Sequence, residues 1–263
     1  MRAFTCGGGK IYSINMSDIE YIGYFEGKNK TETVKNAYSR IKKLKGRAPD
    51  FLFNAELFDF GSRKPASDVV AGGTIHRLTE GYGISFKDNK TPIFSYKNNV
   101  GAKDYIGAYP VLVRAGKKET SVPSGIGGSR GRTAIGIGGN EFHIALIPDG
   151  SLDVTLDVLR NKMIQAGAID AINLDGGGST QFYAPLGNFF SSRAVRGFIG
   201  VWVRGCDIRR VKVRTSLNIR KTPSILGAKV GKLYNGDVVT VLEEKNGWCR
   251  ISSGWVSKTY LIK

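Results

Sequence analysis

Residues Ile172-Asn173-Leu174-Asp175-Gly176-Gly177-Gly178-Ser179-Thr180 combine an apolar run, an acid, three glycines and two hydroxyls. An acid at a strand end, followed by backbone without side chains, suits a polar ligand held against main-chain N–H groups. A turn needs one or two glycines, so three argue for the edge of an active site. Asp175 is the expected catalytic carboxylate. Gly176 and Gly177 are the expected N–H donors, and Ser179 is expected to orient a substrate hydroxyl. A second glycine-rich segment runs from Ser124 to Ile137 and contains Arg132-Thr133. It fails the Walker pattern, which needs a glycine five residues before Gly131 and a lysine where Arg132 stands. An arginine on a glycine loop still suits bidentate phosphate binding, so Arg132 and Thr133 are expected to hold one.

Two helix-then-strand units are placed to deliver these groups. Between residues 31 and 45, Val34, Ala37, Tyr38, Ile41 and Leu44 share one helical face, with Thr31 or Thr33 as cap and Gly46 as stop. Pro49 then gives way to a buried strand, Phe51-Leu52-Phe53, that ends at Asn54. A second helix over 155–166 turns Leu156, Leu159 and Met163 inward and closes at Gly167. It leads to the strand carrying Asp175. If the two strands are neighbours, Asn54 and Asp175 line one crevice. The expected class is α+β, a mixed-sheet domain followed by a small all-β barrel.

Composition narrows the partners. The chain has 263 residues, 41% of them hydrophobic, and a net charge of +17. That charge favours an anionic partner. No helix-turn-helix, zinc-finger or ribonucleoprotein pattern is present, so nucleic acid is not the expected one. No apolar run reaches membrane-spanning length. Residues 1–10 lack an apolar core, so no Sec signal peptide is expected; the expectation is either release to a wall by lysis or a non-classical route, or a cytoplasmic role. Cys6, Cys206 and Cys249 form neither a disulfide framework nor a metal knuckle. His76 and His143 stand far apart, which disfavours tetrahedral zinc; Ca²⁺ or Mg²⁺ near Asp175 stays open. His76 follows Gly72-Gly73 and is a candidate for the crevice.

The C-terminal stretch differs in pattern. From Asp207 onward, twelve Lys/Arg stand against four Asp/Glu, among short alternating segments broken by turns. This places a boundary between 1–206 and 207–263. Leu217-Asn218-Ile219-Arg220 with Pro223, Gly236-Asp237-Val238-Val239-Thr240-Val241, Asn246-Gly247-Trp248 and Gly254-Trp255-Val256 resemble a bacterial SH3 domain. The resemblance implies wall targeting, to an anionic glycopolymer or peptidoglycan. Trp255 and Trp248 are the aromatic candidates for stacking on it, Trp248 being better suited to filling the barrel core.

Over residues 10–204 the chain resembles the phosphodiester glycosidase family. Phe53-Asn54-Ala55-Glu56-Leu57-Phe58-Asp59, Gly107–Lys117, Arg132-Thr133-Ala134-Ile135-Gly136-Ile137 and Asp170–Thr180 match in the family's order. Arg193-Ala194-Val195 stands where the family often has Arg-Pro-Val. The resemblance implies cleavage of the anomeric C–O bond of a sugar 1-phosphodiester. Asp175 would act as nucleophile or base, and Arg132 would hold phosphate. Glu56 is the chosen partner acid on chemical grounds alone, because the family varies there; Asp59 is its alternative. Asn54, Ser179 and Arg193 are expected to contact substrate. The competing readings are a peptidoglycan hydrolase of the phage-lysin type and a non-catalytic wall-binding or virion protein.

Overall fold

The computed structural model describes residues 1–121, 125–150, 154–205, 207–251 and 253–262. Ser124 and Cys206 lie outside the described residues. The chain divides into two compact units, Met1–Ala184 with Asn188–Val203, and Pro185–Gly187 with Arg204–Lys263. Among the described residues there are two α-helices and twenty-four strands, so the protein is far richer in β-structure than the expected α+β class.

The first unit holds three antiparallel sheets. A seven-stranded sheet is ordered Arg2–Cys6, Gly9–Asn15, Glu141–Ile147, Arg132–Gly138, Asp170–Asn173, Val111–Arg114 and Lys117–Lys118. A four-stranded sheet is ordered Phe182–Tyr183, Phe51–Asn54, Gly197–Val203 and Ile19–Glu26. The two meet through Tyr12 and Phe51, whose rings touch edge-on at 4.9 Å. A five-stranded sheet, from Thr74–Arg77 to Thr91–Tyr96, completes the unit.

Each helix covers the outer face of one sheet. Helix α1, Val34–Lys45, packs Val34, Ala37 and Ile41 onto Leu52, Phe198 and Trp202. Its first N–H is satisfied by the Gln181 side chain at 2.6 Å rather than by Thr33. Gly46 ends it with φ of 71°, a left-handed cap that favours glycine. Leu44 continues the apolar stripe but is 66% exposed. Helix α2, Leu156–Ala166, is capped by the Thr155 hydroxyl and buries Leu156, Leu159 and Met163 against Val113, Ala134 and Ala145.

Strands Phe51–Asn54 and Asp170–Asn173 therefore belong to different sheets and are not neighbours. Their ends meet all the same. The Asp175 N–H donates to the Ala55 carbonyl at 3.0 Å, and Asn54 Nδ2 donates to the Asp175 carbonyl at 2.7 Å. Where the expected sheet pairing fails, two loop-end hydrogen bonds join the crevice.

The second unit has a three-stranded and a five-stranded sheet around Val211, Leu217, Ile219, Val239, Val241, Cys249, Ile251 and Val256. Among the described residues these sheets do not close into the expected barrel. Val238–Val241 pairs with Asp207–Val211, whereas Glu243–Lys245 pairs with Trp248–Ile251. Leu242, 52% exposed, stands where the chain leaves one sheet for the other.

Candidate active site

Asp175 follows its strand by two residues and enters a 3-10 turn at Gly177–Ser179. The three glycines have separate physical causes. A Cβ on Gly176 would lie 2.7 Å from the Gly131 carbonyl oxygen, Gly177 has φ of 57°, and a Cβ on Gly178 would lie 2.9 Å from the Arg193 guanidinium carbon. The expectation that Gly176 and Gly177 present N–H groups to substrate is not met. The Gly176 N–H donates to Asp175 Oδ1 at 2.9 Å and the Gly177 N–H to the Gly131 carbonyl at 2.8 Å. Glycine serves here for close approach of this turn to Gly131 and Arg193.

The Asp175 carboxyl is buried, and its Oδ2 has no hydrogen-bond partner. Burial pushes its pKa up to about 6, with Ser179, the Gly176 N–H and Arg193 pulling the other way. Glu56 shares this setting. Its Oε1 accepts from the Tyr24 hydroxyl at 2.6 Å and lies 3.3 Å from Arg196 Nε, and its Oε2 is buried without a partner. Burial pushes its pKa up to about 7 against the pull of Tyr24 and Arg196, and the charge of Asp175 adds to the rise. Gly197 makes this possible: any Cβ there would collide with the Tyr24 ring that reaches across to Glu56. Two buried carboxyls, each with one uncommitted oxygen, form the titratable centre of the site. Such a pairing marks acid–base chemistry.

The residues predicted around them divide. Ser179 is buried, with its Oγ 3.3 Å from Arg193 Nη1. Arg193 is exposed, and its guanidinium lies over the Phe60 ring at 4.8 Å from the centroid. It faces solvent beside the Asp175 turn. His76 also belongs here, its Nδ1 being 3.0 Å from Arg196 Nη2.

Arg132 does not serve as expected. It is 1% exposed, and its guanidinium donates to the carbonyls of Ile126, Gly128 and Val154. Thr133, fully buried, donates to Asn54 Oδ1 at 2.8 Å, and Asn54 spends its amide on the Asp175 carbonyl. These three residues spend their polar groups within the protein and brace the crevice from behind. Asp59 is fully exposed and caps its own turn through Ser62, which holds its carboxyl below the usual range and removes it as the second acid.

Three residues were missed. Tyr24 and Arg196 carry no local motif, since only the fold brings them to Glu56. Arg130 lies in the same glycine-rich segment, two residues before Arg132. Its stem would lie 3.8 Å from a Cβ on Gly177, and its Nε is buried without a hydrogen-bond partner. Among the described residues no cluster of three or more His, Cys, Asp or Glu is placed to hold a metal ion.

In the second unit a groove of about 920 Å³ is lined by Lys212, Arg214, Arg220, Trp248 and Tyr260 among others, with no carboxylate in its wall. Trp248, expected in the core, lines this groove. Trp255 lies outside both the groove lining and the core cluster, on the strand Gly254–Ser257.

Residues 50–202 match the phosphodiester glycosidase family, and residues 215–262 match the bacterial SH3 domain. No curated protein matches the chain. Among solved structures, the zebrafish N-acetylglucosamine-1-phosphodiester alpha-N-acetylglucosaminidase catalytic domain, auto-inhibited by its pro-peptide, is similar in fold. It has a TM-score of 0.58 at 16% identity, over 74% of this chain and 77% of that one. A hypothetical protein from Synechocystis gives a TM-score of 0.59 at 14% identity, over 77% of this chain and 61% of that one. The ordered sequence segments, the fold and the family match agree: the chain belongs to the phosphodiester glycosidase family and carries a bacterial SH3 domain on its C-terminal side.

Proposed function

We propose that this protein hydrolyses the anomeric C–O bond of a sugar 1-phosphodiester in an anionic polymer of a bacterial cell wall. The observation that carries the reading is the pair of buried carboxyls, Asp175 and Glu56, each with one oxygen that has no hydrogen-bond partner; burial raises the first to about 6 and the second to about 7. Near neutral pH the more acidic member is ionised while the other keeps its proton for much of the time. That division of states supplies one base or nucleophile and one acid.

Asp175 meets the positive charge that develops at C1 as the C–O bond breaks. Phosphate leaves with the bonding electrons as a monoester and needs little protonation. Arg193, open to solvent beside the glycine turn, suits the departing phosphate, and Arg130, whose stem lies near Gly177 while its Nη2 donates to the Gly125 carbonyl at 2.9 Å, adds a second positive charge. Water supplies the new C1 hydroxyl, and its proton passes to a carboxylate. As direct nucleophile, Asp175 gives retention; as base for water, it gives inversion. The anomer first released, followed by proton NMR, distinguishes these routes.

The bacterial SH3 domain is proposed to hold the enzyme on the wall through the basic groove containing Trp248 and Tyr260. Aromatic faces with unpaired-sign cations suit a sugar-phosphate chain.

The test is release of reducing sugar together with a phosphate monoester from a sugar 1-phosphodiester. Asp175→Asn is expected to lower kcat by about 10²–10⁴. Retention of wild-type turnover by that variant refutes the assignment. Wall clearing without phosphate-linked sugar release would favour a peptidoglycan hydrolase instead.

A further inference from the structure

Cationic groups stand on both sides of the carboxyl pair. On the Asp175 side is Arg193, already assigned to the departing phosphate. On the Glu56 side is Arg196, 5% exposed in its side chain, which reaches in two directions. Its Nε approaches Glu56 at 3.3 Å, while its Nη2 meets Glu26 at 2.9 Å and His76 at 3.0 Å. Those outer partners open onto a cleft of about 530 Å³ lined by Lys30, Arg63, Lys64, His76, Arg77 and Arg196. Glu26 is the lone carboxylate among its lining residues.

Several features make this cleft more than a solvated basic surface. Its deepest cation, Arg196, is fixed by the Arg63 carbonyl, which accepts from Nη1 at 3.3 Å. The turn bearing Arg63 and Lys64 is itself closed by hydrogen bonds from Asp59 N to the Lys64 carbonyl and from Arg63 N to the Asp59 carbonyl, at 2.9 and 2.8 Å. With Nδ1 of His76 accepting from a guanidinium, Nε2 carries the ring hydrogen and remains a donor. Cations that line one cleft repel one another, and an anion relieves that repulsion.

We propose that this cleft binds the neighbouring phosphate of a repeating sugar-phosphate polymer, so that one sugar lies over Glu56 and Asp175 with phosphates on both sides. The inference rests on the hydrolase reading above and specifies its substrate class. A monomeric diester carries only the scissile phosphate and leaves the cleft empty. A polymer fills both cationic sites, and the second contact fixes which sugar sits at the carboxyls.

The test compares two soluble substrates on the full chain. One is a sugar 1-phosphodiester with a single phosphate; the other carries a second phosphodiester on the sugar that is cleaved. The variant is Arg63→Asn with Lys64→Gln, since Arg63 has φ of 57° and Asn tolerates that backbone. In the wild type the second phosphate is expected to raise kcat/KM about tenfold, and in the double variant the ratio is expected to fall towards one. Equilibrium binding of the two-phosphate compound to Asp175→Asn, with and without the pair, gives a readout independent of turnover. A loss of affinity of about tenfold supports the cleft even if neither substrate is cleaved, a result that would sink only the hydrolase reading. A ratio and an affinity both indifferent to the pair overturn the inference.

Discussion

Replacing Glu56 by Gln should remove activity and stabilise the fold, but only above mildly acidic pH. The folded-state pKa of Glu56 is raised from 4.5 to about 7, chiefly by burial. A raised carboxyl binds its proton more tightly folded than unfolded, so the native state loses stability as pH climbs from the unfolded value to the folded one. At 1.36 kcal/mol per pH unit, the rise amounts to about 3 kcal/mol of stability lost by pH 7 and above. Gln has the same shape and no charge to bury, so that loss disappears. Part of the gain is offset, because Arg196 gives up one of its two carboxylate partners and keeps Glu26. Urea unfolding of wild type and Glu56→Gln at pH 5 and pH 8, followed by a probe in the catalytic unit, measures it. The two proteins are expected to differ little at the lower pH, with the variant ahead by about 1–3 kcal/mol at the higher. Wild-type activity should fall as pH rises through about 7, where Glu56 gives up its proton, and as pH drops through about 6, where Asp175 takes one. Stability curves that run parallel across this range would refute the claim that Glu56 is a buried acid held near neutrality.

Other perturbations separate bracing residues from contacting ones. Arg132→Ala is expected to cost about 2–4 kcal/mol in unfolding free energy, because it empties the space of a fully buried side chain and leaves the buried Val154 carbonyl without its donor. Arg193→Ala should leave the unfolding midpoint nearly unchanged and lower kcat/KM by about 10–10³, measured on the soluble one-phosphate substrate. Gly178→Ala should push the Arg193 guanidinium aside and reduce turnover, because its Cβ would sit 2.9 Å from that group. Trp248→Ala should weaken sedimentation with purified walls about tenfold while hydrolysis of a soluble diester stays at the wild-type rate. Equal wall binding by that variant would remove the groove from the targeting role.

Local chemistry was legible wherever a residue's consequence is local. The left-handed caps at Gly46 and Gly167, the strand ending at Asn54 and the acid at Asp175 all follow from backbone preference and hydrophobic period. The segments matching the bacterial SH3 domain were legible for the same reason, since turn residues at fixed offsets define short strands. Periodicity says which face of an element is apolar, not what that face meets. Hence Leu44 falls on the predicted stripe yet lies in solvent, and Trp248 lines a groove instead of a core.

The site itself was decided in three dimensions. Arg130 and Arg132 are near-identical in sequence context and both donate to loop carbonyls, but only Arg132 is fully buried. Glu56 and Asp175 are 119 residues apart in the chain, and their raised pKa values come chiefly from burial, against the pull of Tyr24 and Arg196 on Glu56 and of Ser179, Gly176 and Arg193 on Asp175. Sequence determined that an acid would stand beside bare backbone at a strand end. Tertiary structure decided that this backbone is bare to let Gly131 and Arg193 approach, and that the acid has a partner. Desolvation and charge coupling depend on distances between remote segments, and no residue carries them alone.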